Sequence, residues 1–449
     1  MVSVAPVIKK ARQDGVAYFY GYVSSVQRSP SSLYPAKRVG EYKARIPRRI
    51  EQEMAGVNRQ RLRVYGSAKK PARFFIEYKY MYKRIYEFKN LLKAYQMARK
   101  CKRYKRNIVD YGFFLESNLL RLQRELILEN YMPSSYVCFT VFEPKVRKVA
   151  VPAFRDRVLQ HSLVSQIEPL FESKFIYDSY ACRKNKGTHF GLKRVKKFLT
   201  AARSIYGKNT PIYCLRMDIE KFFASVSWDV LISIINRTIS CEKTKKLIEK
   251  IITKHRCFDI NGNFIKASYD VVNPENRKGL PIGNLTSQLF ANIYLNELDH
   301  FVKETLRVRW YVRYMDDFLV IHPDRNYLKK MREAIKIFIE YELKLKFHPK
   351  KVIIQNVKTG LPFVGYLIFY DHVLIRGSTL LRMRRRLKKR RIECMEENDN
   401  KPLAASLSAL RGHLRYANAY RLEKNLFEQP PVKLKVKKEK KINKQLKLF

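Results

Sequence analysis

Three aspartates carry the chemistry this chain could do. Asp316 and Asp317 stand side by side in Trp310–His322, WYVRYMDDFLVIH, between two short runs of aromatic and β-branched residues. Such runs favour strands, and a tight turn between them makes a β-hairpin with Met315 and Asp316 near its tip. Adjacent carboxylates repel each other, so the turn either faces solvent or holds hard cations such as Mg²⁺, which prefer oxygen ligands. Far upstream, Pro211–Met217 is a strand candidate that runs directly into Asp218. A strand-end carboxylate facing a hairpin-tip pair is what two-metal phosphoryl transfer needs. One ion lowers the pKa of the attacking 3′-hydroxyl, the other stabilises the leaving pyrophosphate, and carboxylates hold the two ions about 4 Å apart. In that chemistry Asp218 and Asp316 bridge the metals, Asp317 assists, and the backbone carbonyl of Ile219 supplies a further ligand.

Composition says what such a site would act on. Lys and Arg number 92 against 40 Asp and Glu, a formal charge of +52 over 449 residues. The excess runs from end to end. It argues against an ordinary enzyme of small neutral substrates and implies a polyanion, nucleic acid first and a membrane surface second. Hydrophobic residues make up 46% of the chain, which excludes wholesale disorder. The length allows about three domains or subdomains with real cores. The sequence has no apolar run long enough to span a bilayer. Its N-terminus lacks the charged-then-apolar pattern of a secretion signal, so a cytoplasmic protein with no membrane partner is expected. Seven cysteines without a CxxC pair point to buried free thiols in a reducing compartment.

The elements that must position the aspartates can be read in order. Residues 1–76 are basic with weak periodicity: either a partly ordered extension that touches RNA or a partner, or a flexible arm. From Glu77 to Arg106, Tyr86, Phe88, Leu91, Leu92 and Tyr95 recur at helical spacing, which predicts one amphipathic helix with its aromatic side turned to the core. A base-stacking surface is the other reading of that side. Phe114–Glu129 is a second helix candidate, Ser135–Val151 alternates like strands, and Arg155–Phe171 is helical. Ser179–Gly191 is a basic loop before a helix over Leu192–Ile205. Asp218–Phe223 closes the strand, and helical stretches run on to Lys254. Gly279–Gln288, GLPIGNLTSQ, is a loop opening a helix over Leu289–Phe301. After the hairpin come a helix over Asn326–Tyr341 and strands over Leu343–Lys351 and Leu361–Tyr370. Leu380–Ile392 is a dense basic helix, 403–425 is helical, and 429–449 is a Lys-rich tail. No internal repeat is visible.

In order and spacing these segments resemble the reverse transcriptases, over about residues 77–425. YMDD at Tyr314–Asp317, LRMDIEKFFASV at Leu215–Val226, GLPIGNLTSQ, RKVAVPAFRDRVLQ at Arg147–Gln160, HPKK at His348–Lys351 and LPFVGYLIF at Leu361–Phe369 carry the resemblance. It implies an α+β right-hand polymerase fold. Fingers and palm, an antiparallel sheet plus helices, would span 77–377, and an α-helical thumb 378–428. It implies Asp218, Asp316 and Asp317 as catalytic metal ligands for two Mg²⁺ ions. Phe223 matches the aromatic gate against a ribose 2′-hydroxyl, although alone it would be read as core. Arg147 matches the arginine that contacts the incoming triphosphate. Lys351 matches the residue that protonates pyrophosphate, with Lys350 equally placed. Tyr314, Met315, Ile282, Gly283 and Gln288 are implied substrate-binding residues. Arg183 and His189 match a fingers loop, as direct contacts or as a solvated basic loop.

The chain departs from the common motif QGxxxSP: Ile282 stands where Gln is usual and Gln288 where Pro is usual. IGNLTSQ is similar to the enzymes of diversity-generating retroelements. NLLKAYQMARKCKRYKR, FTVFEPKVRKV and RGHLRYANAY are also similar to that group. That resemblance implies error-prone copying of a template RNA into cDNA from dNTPs, especially at adenines, through an RNA–DNA hybrid. It also implies a small basic accessory protein and a bacterial, archaeal or phage-encoded origin. The alternatives are a phage-defence polymerase and, in another class, an RNA-binding scaffold without catalysis.

Overall fold

A computed structural model describes residues 80–142, 146–254, 257–258, 264–265, 275–397 and 399–427. The expectations for 1–76 and 429–449 lie outside the described residues. The described chain opens with α1 (Met81–Tyr86), α2 (Phe88–Ala98), α3 (Arg106–Phe113) and α4 (Leu115–Ile127). Strands β1 (Tyr136–Val141) and β2 (Arg147–Val151) then pair antiparallel. Helices α5 (Phe154–Glu172) and α6 (Thr188–Tyr206) follow, then β3 (Tyr213–Asp218), the short α7 (Phe222–Ser225), α8 (Trp228–Asn236) and α9 (Glu242–Thr253). The two-residue strands β4 (Cys257–Phe258) and β5 (Phe264–Ile265) extend the first sheet in the order β2-β1-β4-β5. Helix α10 (Leu285–His300), continued by a π-helical turn, precedes β6 (Tyr311–Tyr314), β7 (Asp317–His322), α11 (Arg325–Tyr341) and β8 (Ile353–Asn356). Strands β9 (Leu361–Phe363), β10 (Tyr366–Ile368) and β11 (Val373–Ile375) form a small sheet. Helices α12 (Gly377–Glu397), α13 (Lys401–Leu414) and α14 (Tyr420–Phe427) end the described chain.

The sheet ordered β6-β7-β3-β8 positions the aspartates. Its neighbouring strands are antiparallel, so paired residues share a face. On one face Leu215, Met217, Phe318 and Val320 pack into the main core with α10 and α11. On the other, Cys214, Val312, Leu319 and Ile321 pack against Leu192, Val195, Phe198 and Leu199 of α6. Burial on both faces fixes the register, because a one-residue slip would turn every apolar side chain to the wrong face. Helices α12–α14 form their own cluster on Leu387, Leu410, Leu414 and Leu426.

Several boundaries differ from the sequence expectations. The single helix over Glu77–Arg106 is broken at Glu87, which is extended at φ −58° and ψ 129°. Tyr82 and Tyr95 in this region are buried, so its aromatic side is core. The helix expected from Leu289 starts at Leu285, placing Gln288 in its first turn with an exposed side chain. Helix α6 starts at Thr188, so His189–Gly191 are helical rather than loop. Leu343–Lys351 is not a strand. Only Phe347 bridges, to Ile219, and the ladder strand is Ile353–Asn356; Pro349 has no N–H to donate to a ladder. Leu361–Tyr370 is a hairpin rather than one strand, turning at Val364 (φ 43°) and Gly365 (φ 92°). The helical stretch over 403–425 divides between α13 and α14. All seven cysteines are free, but only Cys214 and Cys257 are buried; Cys138, Cys241 and Cys394 are half-buried, and Cys101 and Cys182 are exposed.

A candidate active site at the hairpin turn

Strand β3 ends on Asp218, and β7 begins on Asp317 directly opposite it in the ladder. Tyr314 pairs with Asp317 across the hairpin, leaving Met315 and Asp316 as the two-residue turn. Met315 takes φ 55°, the left-handed conformation a tight hairpin demands. Arg216 lies two residues before Asp218, hence on the same face. Beyond the strand, His348 N–H donates to the Asp218 carbonyl at 2.9 Å and Glu220 N–H to the Lys346 carbonyl at 2.9 Å. The carbonyl of Ile219 takes no part in either bond.

Charge is concentrated at this turn. Lys351 Nζ sits 2.8 Å from Asp218 Oδ1, whereas Lys350 is exposed and gives its backbone N–H to His348 Nδ1. Burial pushes the Asp317 carboxyl up to about 7; Arg216 opposes that rise, and the charges of Asp218 and Asp316 add to it. Asp316 is also raised, by burial first and by Asp218 next. Crowded carboxylates that resist ionising are a place where added positive charge is favoured. The donor set is all hard oxygen, which fits a divalent cation. Among the described residues no three acidic, His or Cys side chains stand together as a ready ion cage. The cation Asp218 meets is Lys351.

The other candidates fall into two groups. The loop carrying Ile282 and Gly283 is fixed to neighbouring elements. Ala150 N–H donates to the Ile282 carbonyl at 2.9 Å, joining the loop to β2, the strand that opens with exposed Arg147. Gly283 has φ 130°, and a Cβ there would lie 2.6 Å from the Ala150 carbonyl oxygen. Leu280 N–H donates to the Phe223 carbonyl at 2.7 Å, which ties the half-buried Phe223 to the same loop. Tyr314 OH meets Thr188 Oγ1 at 3.1 Å. Arg183 and His189 serve elsewhere. Arg183 is neither solvated nor turned to the aspartates: it is paired with Glu172 at 2.7 Å and donates to the carbonyls of Ile176 and Ser179. His189 stacks on Tyr416, in the segment between α13 and α14, with ring centroids 3.8 Å apart.

Sequence reasoning passed over four polar residues here. Arg216 is one, and strict alternation from Asp218 would have placed it. Asn284, 2% exposed, donates to Tyr136 OH while its own Oδ1 is buried without a partner. Arg313 and Asp299 are both fully buried and paired at 2.6 Å. A charged residue inside an apolar strand pattern was the available signal for Arg313.

An antiparallel sheet that carries acidic residues on a strand end and on a neighbouring hairpin turn, backed by helices, defines the right-hand polymerase fold. Residues 143–368, just over half of the chain, match the family model described as reverse transcriptase (RNA-dependent DNA polymerase). The chain belongs to the reverse transcriptase family of RNA-dependent DNA polymerases, which generally use divalent metal ions. Protein YkfC of Escherichia coli is 27% identical over 329 residues, 66% of this chain and 79% of YkfC. The group II intron-encoded protein LtrA of Lactococcus lactis is 24% identical over 311 residues. That match covers 55% of this chain and about half (47%) of LtrA. Among solved structures, telomerase from Candida albicans in complex with a fragment of telomeric RNA aligns with a TM-score of 0.40 and 13% identity. It covers 70% of this chain and 60% of that one. No helix among the described residues is long and apolar enough to cross a membrane.

Proposed function

We propose that this chain copies a template RNA into DNA from dNTPs by two-metal nucleotidyl transfer. The observation that carries the reading is the ladder pairing of Asp218 with Asp317 beside the Asp316 turn. Asp218, Asp316 and the carbonyl of Ile219 would hold two Mg²⁺ ions, with Asp317 in support. When bound, the ions supply the charge that lowers the pKa of the primer 3′-hydroxyl and stabilises pyrophosphate. Lys351, whose Nζ lies 2.8 Å from Asp218 Oδ1, would balance that carboxylate without metal and would donate a proton to pyrophosphate with metal bound. Arg147, on the strand bonded to the Ile282 loop, contacts the triphosphate, and Phe223, tied to that loop, excludes the ribose 2′-hydroxyl. Tyr314, Met315, Gly283 and Gln288 line the substrate. Residues 77–377 act as fingers and palm and 378–428 as thumb, flanked by the basic segments 1–76 and 429–449. The RNA–DNA hybrid is the product complex, and the cytoplasm is where the work is done. A primer-extension assay on an RNA template tests this. Extension with dNTPs and Mg²⁺, abolished by EDTA, supports it; extension that survives EDTA contradicts it.

The finer assignment is to a diversity-generating retroelement, with error-prone copying at adenines and a basic accessory protein. It rests on IGNLTSQ, chiefly Ile282, and not on the relatives above. A Gln side chain at 282 could hydrogen-bond near the nascent pair, whereas Ile has no donor. One such bond is worth about 0.5–1.5 kcal/mol, roughly a two- to tenfold change in discrimination. Ile282→Gln should therefore lower misincorporation opposite template adenine, read by sequencing cDNA from both proteins on one adenine-rich template. Equal error spectra at comparable extension rates remove Ile282 as a determinant.

A further inference from the structure

Arg313 precedes Tyr314 in the hairpin, but its side chain points the other way. It pairs with Phe318 while Tyr314 pairs with Asp317, so it enters the core on the face opposite Asp317. Both Arg313 and Asp299 of α10 are 0% exposed. Arg313 Nε donates to Asp299 Oδ1 at 2.8 Å and Nη2 to Asp299 Oδ2 at 2.6 Å. The remaining donors reach three further groups. Nη2 donates to Ser179 Oγ at 3.1 Å, and Nη1 to Asn292 Oδ1 at 3.2 Å and to the Met315 carbonyl at 3.2 Å. The backbone adds Arg313 N–H to the Asp178 carbonyl and Tyr180 N–H to the Arg313 carbonyl, each at 3.0 Å.

This arrangement is hard to explain as stabilisation alone. Desolvating two charges offsets most of their attraction, and apolar side chains of similar volume often do as well or better in such a place. What apolar side chains cannot do is donate. One guanidinium here links helix α10, the loop at Ser179 and the carbonyl of Met315, the turn residue held at φ 55°. A planar group with five donors in fixed directions can satisfy all of these at once, and an ammonium cannot.

We propose that Arg313, oriented by Asp299, is a positioning residue that fixes the Met315–Asp316 turn and so holds Asp317 opposite Asp218 in the ladder with Asp316 beside it. This rests on the reading of those aspartates as the metal-holding set. Two variants separate positioning from folding. Arg313→Lys keeps a cation beside Asp299 but loses the fork of donors. Arg313→Met with Asp299→Leu replaces the pair by apolar volume, an exchange that is often neutral where a half-broken buried pair is not, at the loss of the acceptor of Tyr311 OH. Readouts are thermal melting, single-nucleotide kcat and KM, and Mn²⁺ binding followed by EPR without nucleotide. The expected result is a folded protein whose kcat drops about tenfold or more, because small misplacements of reacting groups cost that much. KM for dNTP changes by less than kcat does, since Arg147, Phe223 and the Ile282 loop are untouched, and Mn²⁺ half-saturation rises in parallel. The proposal is overturned if a folded variant keeps wild-type kcat and Mn²⁺ affinity, if only KM changes, or if neither variant folds. An active Asp218→Ala protein would instead sink the metal reading, so the two failures are distinguishable.

Discussion

At the scale of the residue, the three aspartates differ in what surrounds them, and that difference can be measured. Asp218 has Lys351 as partner at 2.8 Å, whereas burial raises Asp317 to about 7. A carboxyl whose folded pKa lies above its unfolded value near 4 favours the folded state while protonated. That contribution is present below about pH 4 and is lost as pH rises toward about 7. Metal binding needs the ionised form, so it competes with the proton over the same range. Thermal melts with and without Mg²⁺ at pH 5.5 and pH 8 should therefore show a larger Mg²⁺-induced rise at pH 8. An equal rise at both would mean that Asp317 does not titrate in this window. Asp218 and the Asp316–Asp317 turn were legible in sequence because acidic residues at strand ends break an apolar pattern. The partner of Asp218 was not: HPKK offered Lys350 and Lys351 equally, and only the turn at Pro349 and the bond from Lys350 N–H to His348 Nδ1 separate them.

At the scale of the element, the loop before α10 joins β2 to α7. Its closest point is Gly283, where φ is 130° and a Cβ would lie 2.6 Å from the Ala150 carbonyl oxygen. Gly283→Ala should cost about 1–3 kcal/mol for the strained backbone alone and loosen the bond from Ala150 to Ile282. Chemical denaturation measures the first effect and primer extension the second; a variant unchanged in both would show that the loop has room to move. The bounds of α11, an element of strong helical periodicity, and of α5 were readable in advance nearly to the residue. The misread boundaries are places where backbone geometry decides. Glu87 breaks a helical pattern without Gly or Pro, and Val364, a β-branched residue at φ 43°, turns what looks like one strand into a hairpin. Burial on both faces of the central sheet could not be read locally either, because α6 and α10 come from distant parts of the chain.

At the scale of the whole molecule, the formal charge of +52 points to nucleic acid. A groove of about 720 Å³ runs between α6 and the segment joining α13 to α14, and Lys193, Lys196, Lys197 and Arg415 are among its lining residues. Lys193 also lies over the Tyr416 ring. If RNA phosphates sit there, replacing all four cations by Gln should reduce the salt dependence of RNA affinity, flattening its log–log slope by about 3. Extension of a short primer–template at low salt should persist. A slope unchanged by the four substitutions would place the RNA elsewhere on the protein. The central claim is the joint role of the three carboxylates, and primer extension on an RNA template with Mg²⁺ and dNTPs tests it most directly. It compares the natural protein with Asp218→Ala and with the double variant Asp316→Ala, Asp317→Ala, each checked for folding and for RNA binding. The structure predicts that both variants bind RNA and incorporate no nucleotide. Substantial extension by either one would contradict the metal assignment and the proposed reaction with it.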